Sequence, residues 1–140
     1  MPQTEKNGDT LKRSTKTITI KKTLKLSCGV VLQQHDLVYE TYGRLNKAKN
    51  NAILICHALS GSHHAAGKDD NGNIGWWDNY IGPNKPIDTN KFCVVSLTNI
   101  GSCFGSTGPN TINPKNGKFW AIEFPTLEVT DWVKSQKMLM

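Results

Sequence analysis

Ala52-Ile53-Leu54-Ile55-Cys56-His57-Ala58-Leu59-Ser60-Gly61-Ser62 decides how the rest of the chain is read. Five apolar residues without a break run straight into a short polar turn containing glycine. A continuous apolar run, as opposed to an alternating one, suits a strand covered on both faces in the middle of a sheet. Phe92-Cys93-Val94-Val95-Ser96-Leu97 is a second run of the same kind. Each is followed by about 30 residues with almost no periodic apolar pattern, 59–91 and 98–129, and loops of that length are functional or disordered. Nine of the 12 glycines lie between Gly61 and Gly117, interleaved with Trp76, Trp77, Tyr80, Phe104, Phe119 and Trp120. Disordered segments are poor in aromatics, so both loops are expected to be ordered.

Working outward, Thr17-Ile18-Thr19-Ile20 alternates, and Leu24-Lys25-Leu26 and Val30-Val31-Leu32 flank Ser27-Cys28-Gly29. That pattern predicts a strand, a tight turn and a returning strand. Leu37 to Tyr42 is β-branched and aromatic and is closed by Gly43, which predicts a further strand. After Pro125 the pattern turns helical, with Thr130 as N-cap, Asp131 in the first turn and apolar Trp132, Val133, Leu139 and Met140. The last residues, Met138-Leu139-Met140, carry no stop signal, so the helix is expected to continue and the α/β fold to be completed by elements outside these 140 residues.

The net charge of +6 is unevenly placed. Residues 1–50 hold ten Lys/Arg against four Asp/Glu, whereas residues 51–140 hold seven of each. The excess falls largely on a Thr/Lys-rich N-terminus, and residues 1–16 are expected to form a disordered basic tail, with 17–140 as the folded part. No basic helix with interleaved aromatics accompanies the charge, so nucleic acid is not an expected partner. The longest apolar run is five residues, far below the roughly 20 of a membrane helix, and no secretory signal precedes it. A cytoplasmic location without membrane attachment is expected. Cys28, Cys56, Cys93 and Cys103 contain no C-x-x-C pair and are expected as free thiols, Cys56 and Cys93 as small buried hydrophobes.

Ligands of open α/β sheets bind outside the carboxyl ends of the strands, where both long loops begin. The turn from His57 to Ser62 stands where α/β-hydrolases donate one oxyanion-hole N–H, which makes the Leu59 backbone N–H the candidate donor. His57, His63 and His64 lack the spacing of a zinc site, and His57 is expected to brace the loop by hydrogen bonds, the other two being partly exposed. Gly101 to Pro109 lacks the lysine of a phosphate-binding loop, and Asp69-Asp70 beside Asn71-Gly72 is expected as a solvated turn. No G-x-S-x-G occurs, so these residues hold no nucleophile elbow.

Asn51 to Ser62, Gly75-Trp76-Trp77-Asp78, Ile81-Gly82-Pro83, Ile87-Asp88-Thr89 and Asn99 to Pro114, in that order, resemble the homoserine O-acyltransferase family of the α/β-hydrolase superfamily. The likeness extends to Tyr39 to Gly43, Leu45-Asn46, Phe124-Pro125 and Asp131 to Val133, covering roughly residue 24 to the end. It implies the N-terminal strands and the start of the first core helix of an α/β-hydrolase fold, with the rest of the domain outside this chain. It also implies acyl transfer from acetyl-CoA or succinyl-CoA to the hydroxyl of L-homoserine, an early step of methionine synthesis. The family uses a ping-pong Ser-Asp-His mechanism, takes acyl-CoA as co-substrate, needs no other cofactor and forms homodimers. Leu59 matches one oxyanion donor, whereas the triad has no counterpart here, so the chain is expected to be inactive alone. Asn99 to Pro109 with Asp131-Trp132 is more similar to members using succinyl-CoA. Asn84 stands where the family often has glycine, and Ile100 where leucine is common. The readings set against this one are a related serine esterase and a non-catalytic basic binding protein.

Overall fold

The computed structural model describes residues 10–140. In chain order its elements are β1 (Arg13–Ile20), β2 (Leu24–Lys25), β3 (Val31–Leu32), β4 (His35–Tyr42), β5 (Ala52–Ile55), β6 (Ile81–Gly82), β7 (Ile87–Asp88) and β8 (Cys93–Leu97). A single 3-10 turn at Ala121–Glu123 precedes α1 (Val129–Leu139). The alternating and β-branched stretches give β1 and β4, and the two continuous apolar runs give β5 and β8. β2 and β3 pair antiparallel with Leu24 opposite Leu32, across a turn whose Gly29 has φ 89. That left-handed conformation costs glycine nothing and any Cβ-bearing residue something.

The main sheet runs β1-β4-β8-β5. β5 and β8 are parallel, in register from Ala52 with Cys93 to Ile55 with Ser96. A parallel pair requires a long crossover, and residues 56–92 supply it with the short β6–β7 pair in place of a helix. β8 is buried at four of its five positions, as a central strand should be. β5 departs from expectation: only Ile55 is buried and Ala52 is exposed, because it lies at one edge of the sheet and has a single strand neighbour. Cys56, which follows it, is exposed instead of buried, whereas Cys93 is buried as expected and its thiol is pushed up by desolvation.

Two compact units divide the chain. The first takes the described residues up to Thr15 with 40–56 and 64–96. Its core is Tyr42, Ile55, Ala65, Ala66, Ile81 and Val94, with Leu11, Ile53, Trp77 and Ile87 packed against it. Glu40 is buried here yet well matched: it accepts from Arg13 at 2.7 Å, from Thr15 Oγ1 at 2.9 Å and from the Tyr42 hydroxyl, with His64 Nδ1 at 3.1 Å. Burial works against its charge, but the bonds from Tyr42, His64, Thr15 and Arg13 outweigh it and hold the carboxyl below its ordinary range. This also corrects the boundary of the basic tail. Residues 13–16 belong to β1, because the Arg13 charge is neutralised by a buried carboxylate instead of being left to solvent. Leu11 packs against the core and the Lys12 carbonyl accepts from the Gly43 N–H at 3.0 Å, so neither belongs to a tail, and residues 1–9 lie outside the described residues.

The Tyr42 hydroxyl also accepts the N–H groups of Ala65 and Ala66 at 2.8 and 3.1 Å. Tyr42→Phe would leave two buried N–H donors and one carboxylate oxygen short of a partner. We expect a loss of about 3 kcal/mol, since each buried polar group left unmatched costs roughly 1–3 kcal/mol. Denaturant unfolding of the variant beside the parent checks this.

The Gly75-Trp76-Trp77-Asp78 block serves the same unit. A Cβ on Gly75 would fall 2.2 Å from the Ala66 nitrogen, so only glycine lets these backbones meet. Trp77 N–H donates to the Ala65 carbonyl at 2.8 Å, and its ring stacks between Trp76 and Tyr80 at 5.5 and 5.4 Å. Asp78 accepts from the Gly67 N–H at 2.7 Å and from Lys85 at 3.0 Å. Asn84 has φ 60, which explains both the family's glycine there and the asparagine here, the side chain that best tolerates this region. Asp69 organises the turn before this block by accepting from Asn71 and Asn73, and Asp70 is fully exposed.

The second unit comprises 16–39, 57–63 and 97–140. Ile20, Leu24, Leu26, Leu32, Leu37, Ile100 and Trp120 form its core, and α1 lays Trp132, Met138 and Leu139 against it. The helix begins two residues earlier than expected, since Thr130 lies inside its first turn and is not the N-cap. Its N-cap is Glu128, in a capping box with Asp131, whose carboxylate accepts from the Glu128 N–H at 3.0 Å. Asp131 reaches further, to the Ser27 N–H at 2.9 Å and Ser27 Oγ at 3.1 Å, so the cap also fastens α1 to the β2–β3 turn. Desolvation opposes its charge, but the Glu128 and Ser27 bonds prevail and hold its pKa below the ordinary aspartate value. A depressed folded pKa contributes stability that is fully present above the unfolded value of about 3.9 and is lost as pH falls through the folded one. The urea midpoint should therefore decline below about pH 4, and Asp131→Asn should flatten that decline.

Candidate functional site

The turn after β5 and the loop after β8 meet in the second unit. His57, Leu59, Asn99, Ile100, Ser102 and Trp132 are among the residues lining a cleft of about 240 Å³. Phe124, Pro125 and Leu127 supply an apolar wall. Leu59 itself is 83% exposed, and among the described residues its N–H donates no hydrogen bond.

Hydrogen bonds hold the turn. The Asn99 N–H donates to His57 Nε2 at 3.1 Å, His57 Nδ1 lies 2.6 Å from the Ala58 carbonyl oxygen, and the Gly61 N–H donates to the same oxygen at 2.8 Å. His57 thus braces the loop as its sequence position suggested. His63 is bound to the buried Thr98 hydroxyl through its N–H at 2.9 Å and its Nδ1 at 2.8 Å. In the first unit, both ring nitrogens of His64 face oxygen acceptors, the Glu40 carboxylate and the Asn73 carbonyl. The three neighbouring histidines therefore have three different sets of partners. Among the described residues no group of three His, Cys, Asp or Glu side chains is placed to hold a metal ion.

The glycine-rich segment after β8 works as scaffold. Ser106 Oγ accepts from the Val38 N–H at 2.9 Å and donates to the Thr98 carbonyl at 2.6 Å. Thr107 Oγ1 accepts from the Asp36 N–H at 2.8 Å, and the Thr107 carbonyl accepts from the Gly101 N–H at 2.8 Å. Its hydroxyls are turned to the protein's own backbone and not to a phosphate. From α1, Gln136 Nε2 donates to Asn99 Oδ1 at 2.8 Å and Trp132 Nε1 donates to the Ile100 carbonyl at 3.0 Å. Sequence reasoning missed the Gln136 anchor, since a glutamine on a helix carries no signal of its partner. It also left the chemistry of Glu40 and Tyr42 unread, although both stand in a quoted block.

No protein-family profile matches the chain. Curated relatives do. Homoserine O-succinyltransferase of Cellvibrio japonicus is 60% identical over 125 residues, which is 88% of this chain and 33% of that protein. Homoserine O-succinyltransferase of Marinobacter nauticus is 59% identical over 128 residues, 90% of this chain and 34% of that protein. The chain thus spans about a third of the length of the curated relatives it matches. Among solved structures, homoserine O-acetyltransferase from Bacillus anthracis aligns with a TM-score of 0.75 at 36% identity, over 92% of this chain and 36% of that one. Esterase E22 aligns with a TM-score of 0.77, also at 36% identity, over 93% and 37%. The fold is therefore that of the α/β-hydrolases. Backbone likeness does not separate an acyltransferase from an esterase, whereas the identity to the succinyltransferases is far higher. Among the described residues no helix is long and apolar enough to cross a membrane.

Proposed function

The chain belongs to the homoserine O-acyltransferase family, and from that premise we propose that it supplies the oxyanion-stabilising wall for transfer of a succinyl group from succinyl-CoA to the hydroxyl of L-homoserine. The observation that carries the proposal is the Ala58–Leu59 peptide: Leu59 lines a cleft, its N–H is unengaged among the described residues, and the carbonyl of the same peptide accepts from the Gly61 N–H and lies 2.6 Å from His57 Nδ1. A tetrahedral intermediate needs a preoriented donor of this kind, because the negative oxygen forms only at the transition state and the donor must already be in place. In ping-pong transfer the same donor serves twice, first when an activated serine attacks the thioester and again when the homoserine hydroxyl attacks the acyl-serine. These 140 residues contain no G-x-S-x-G, so the serine, its histidine and its acid come from sequence outside them.

Succinyl is preferred to acetyl as the donor on the strength of the roughly 60% identity to succinyltransferases against 36% to the acetyltransferase of known structure. The reaction needs no cofactor beyond the acyl-CoA co-substrate, and a cytoplasmic homodimer is the form proposed for the whole protein. The test is a chimera in which residues 24–140 replace the matching segment of the Cellvibrio japonicus relative. Its succinyl transfer to homoserine supports the proposal, and a folded chimera without it refutes the proposal.

A further inference from the structure

We propose that His57 is a positioning residue whose tautomer, set by the Asn99 backbone, aims the Leu59 N–H into the cleft. The inference rests on the oxyanion reading of Leu59 and explains how that N–H comes to be directed. In a trans peptide the carbonyl and the following N–H point in opposite directions. The Ala58 carbonyl and the Leu59 N–H share one such peptide, and none of the described peptide bonds is cis. Two donors converge on the Ala58 oxygen, His57 Nδ1 at 2.6 Å and the Gly61 N–H at 2.8 Å. Fixing that oxygen from two sides fixes the peptide plane, and with it the direction of the Leu59 N–H.

The histidine can donate from Nδ1 only if its proton resides there. The Asn99 N–H requires this, since it donates to Nε2 at 3.1 Å and so needs a bare nitrogen at that position. Asn99 is itself held by Gln136 of α1 at 2.8 Å. A continuous series of hydrogen bonds therefore runs from α1 through Asn99 and His57 to the Ala58–Leu59 peptide. Donors on a carbonyl also polarise its own amide, which makes the Leu59 N–H a stronger donor. Gly61 completes the arrangement: a Cβ there would lie 2.8 Å from His57 Cβ and 3.1 Å from the Ala58 oxygen.

The test uses the chimera that carries residues 24–140 in the Cellvibrio japonicus relative, which supplies the rest of the fold, with 15N-labelled histidine. Imidazole spectra should give His57 as protonated at Nδ1 and bare at Nε2; an Nε2-protonated ring overturns the proposal. In His57→Phe, which keeps a planar ring without either nitrogen, the Asn99 amide should exchange about tenfold faster and the Leu59 amide should lose order on the picosecond-to-nanosecond scale. An unchanged Leu59 order parameter in that variant would equally overturn it. Should His57→Phe fail to fold, the tautomer of the unsubstituted chimera decides alone. Neither readout depends on acyl transfer, so the positioning role can fail while the oxyanion role stands. The converse is also distinguishable, by a Leu59→Pro chimera that keeps full activity despite the expected tautomer.

Discussion

Leu59→Pro, introduced into the chimera that carries residues 24–140 in the Cellvibrio japonicus relative, should lower kcat by about 10²–10³ with little change in KM. Proline removes the backbone N–H and nothing else of chemical use, because the Leu59 side chain is largely exposed and a side chain has no part in holding an oxyanion. Loss of one oxyanion donor in other acyl-transfer enzymes costs a factor of about 10²–10³ in kcat, since the interaction is made in the transition state and hardly in the ground state. Leu59→Ala keeps the N–H and should stay within about threefold of the parent. Equal losses in the two variants would mean that the leucine side chain, and not its amide, matters. Steady-state kinetics with succinyl-CoA and homoserine measure both.

The larger effect is expected of the isolated 140-residue chain, which should give no acyl transfer from acetyl-CoA or succinyl-CoA above background. Removing a catalytic serine costs about 10⁶-fold in kcat in a triad enzyme, and an oxyanion donor alone forms no acyl-enzyme. A buried serine and histidine do meet: Ser135 Oγ lies 2.9 Å from His35 Nε2. It is no substitute, because the two residues are 1% and 2% exposed and no substrate reaches them. Burial also pushes the His35 pKa down, against the role of a general base. Mass spectrometry of the chain after incubation with succinyl-CoA should find no acylated serine, and a succinylated Ser135 or any transfer to homoserine would contradict the mechanism.

Local pattern was enough to read most of the strands. Ala52 to Cys56 is an unbroken apolar run and Phe92 to Leu97 one interrupted only at Ser96, and both give parallel strands of one sheet; Thr17 to Ile20 alternates and gives the end of β1, where Ile20 alone is buried. What pattern could not supply was neighbourhood. β5 and β8 read alike, yet β8 has strands on both sides and β5 only one, so Ala52 and Cys56 are exposed. Arg13 read as part of a solvated tail because its partner Glu40 lies 27 positions away. The helix start was placed at Thr130 on residue type, whereas Glu128 with Asp131 forms the cap, an acidic capping box that a search for Ser or Thr passes over. At the site, Leu59 was singled out because α/β-hydrolases carry an oxyanion donor at such a strand-to-turn junction, and the structure places the residue in the lining of the cleft. That His57 braces the loop was legible too, but its partner, the Asn99 N–H, and the Gln136 side chain that holds Asn99 were not, since residue type does not name a distant partner.

The most direct measurement is the product formed when the purified chimera is given succinyl-CoA with and without L-homoserine. Water competes with homoserine for the acyl-serine, so a transferase and an esterase built on the same fold differ in where the succinyl group ends. The account predicts O-succinylhomoserine as the main product, with CoA release rising in proportion to homoserine. A folded chimera that releases only free succinate, at a rate indifferent to homoserine, would contradict it.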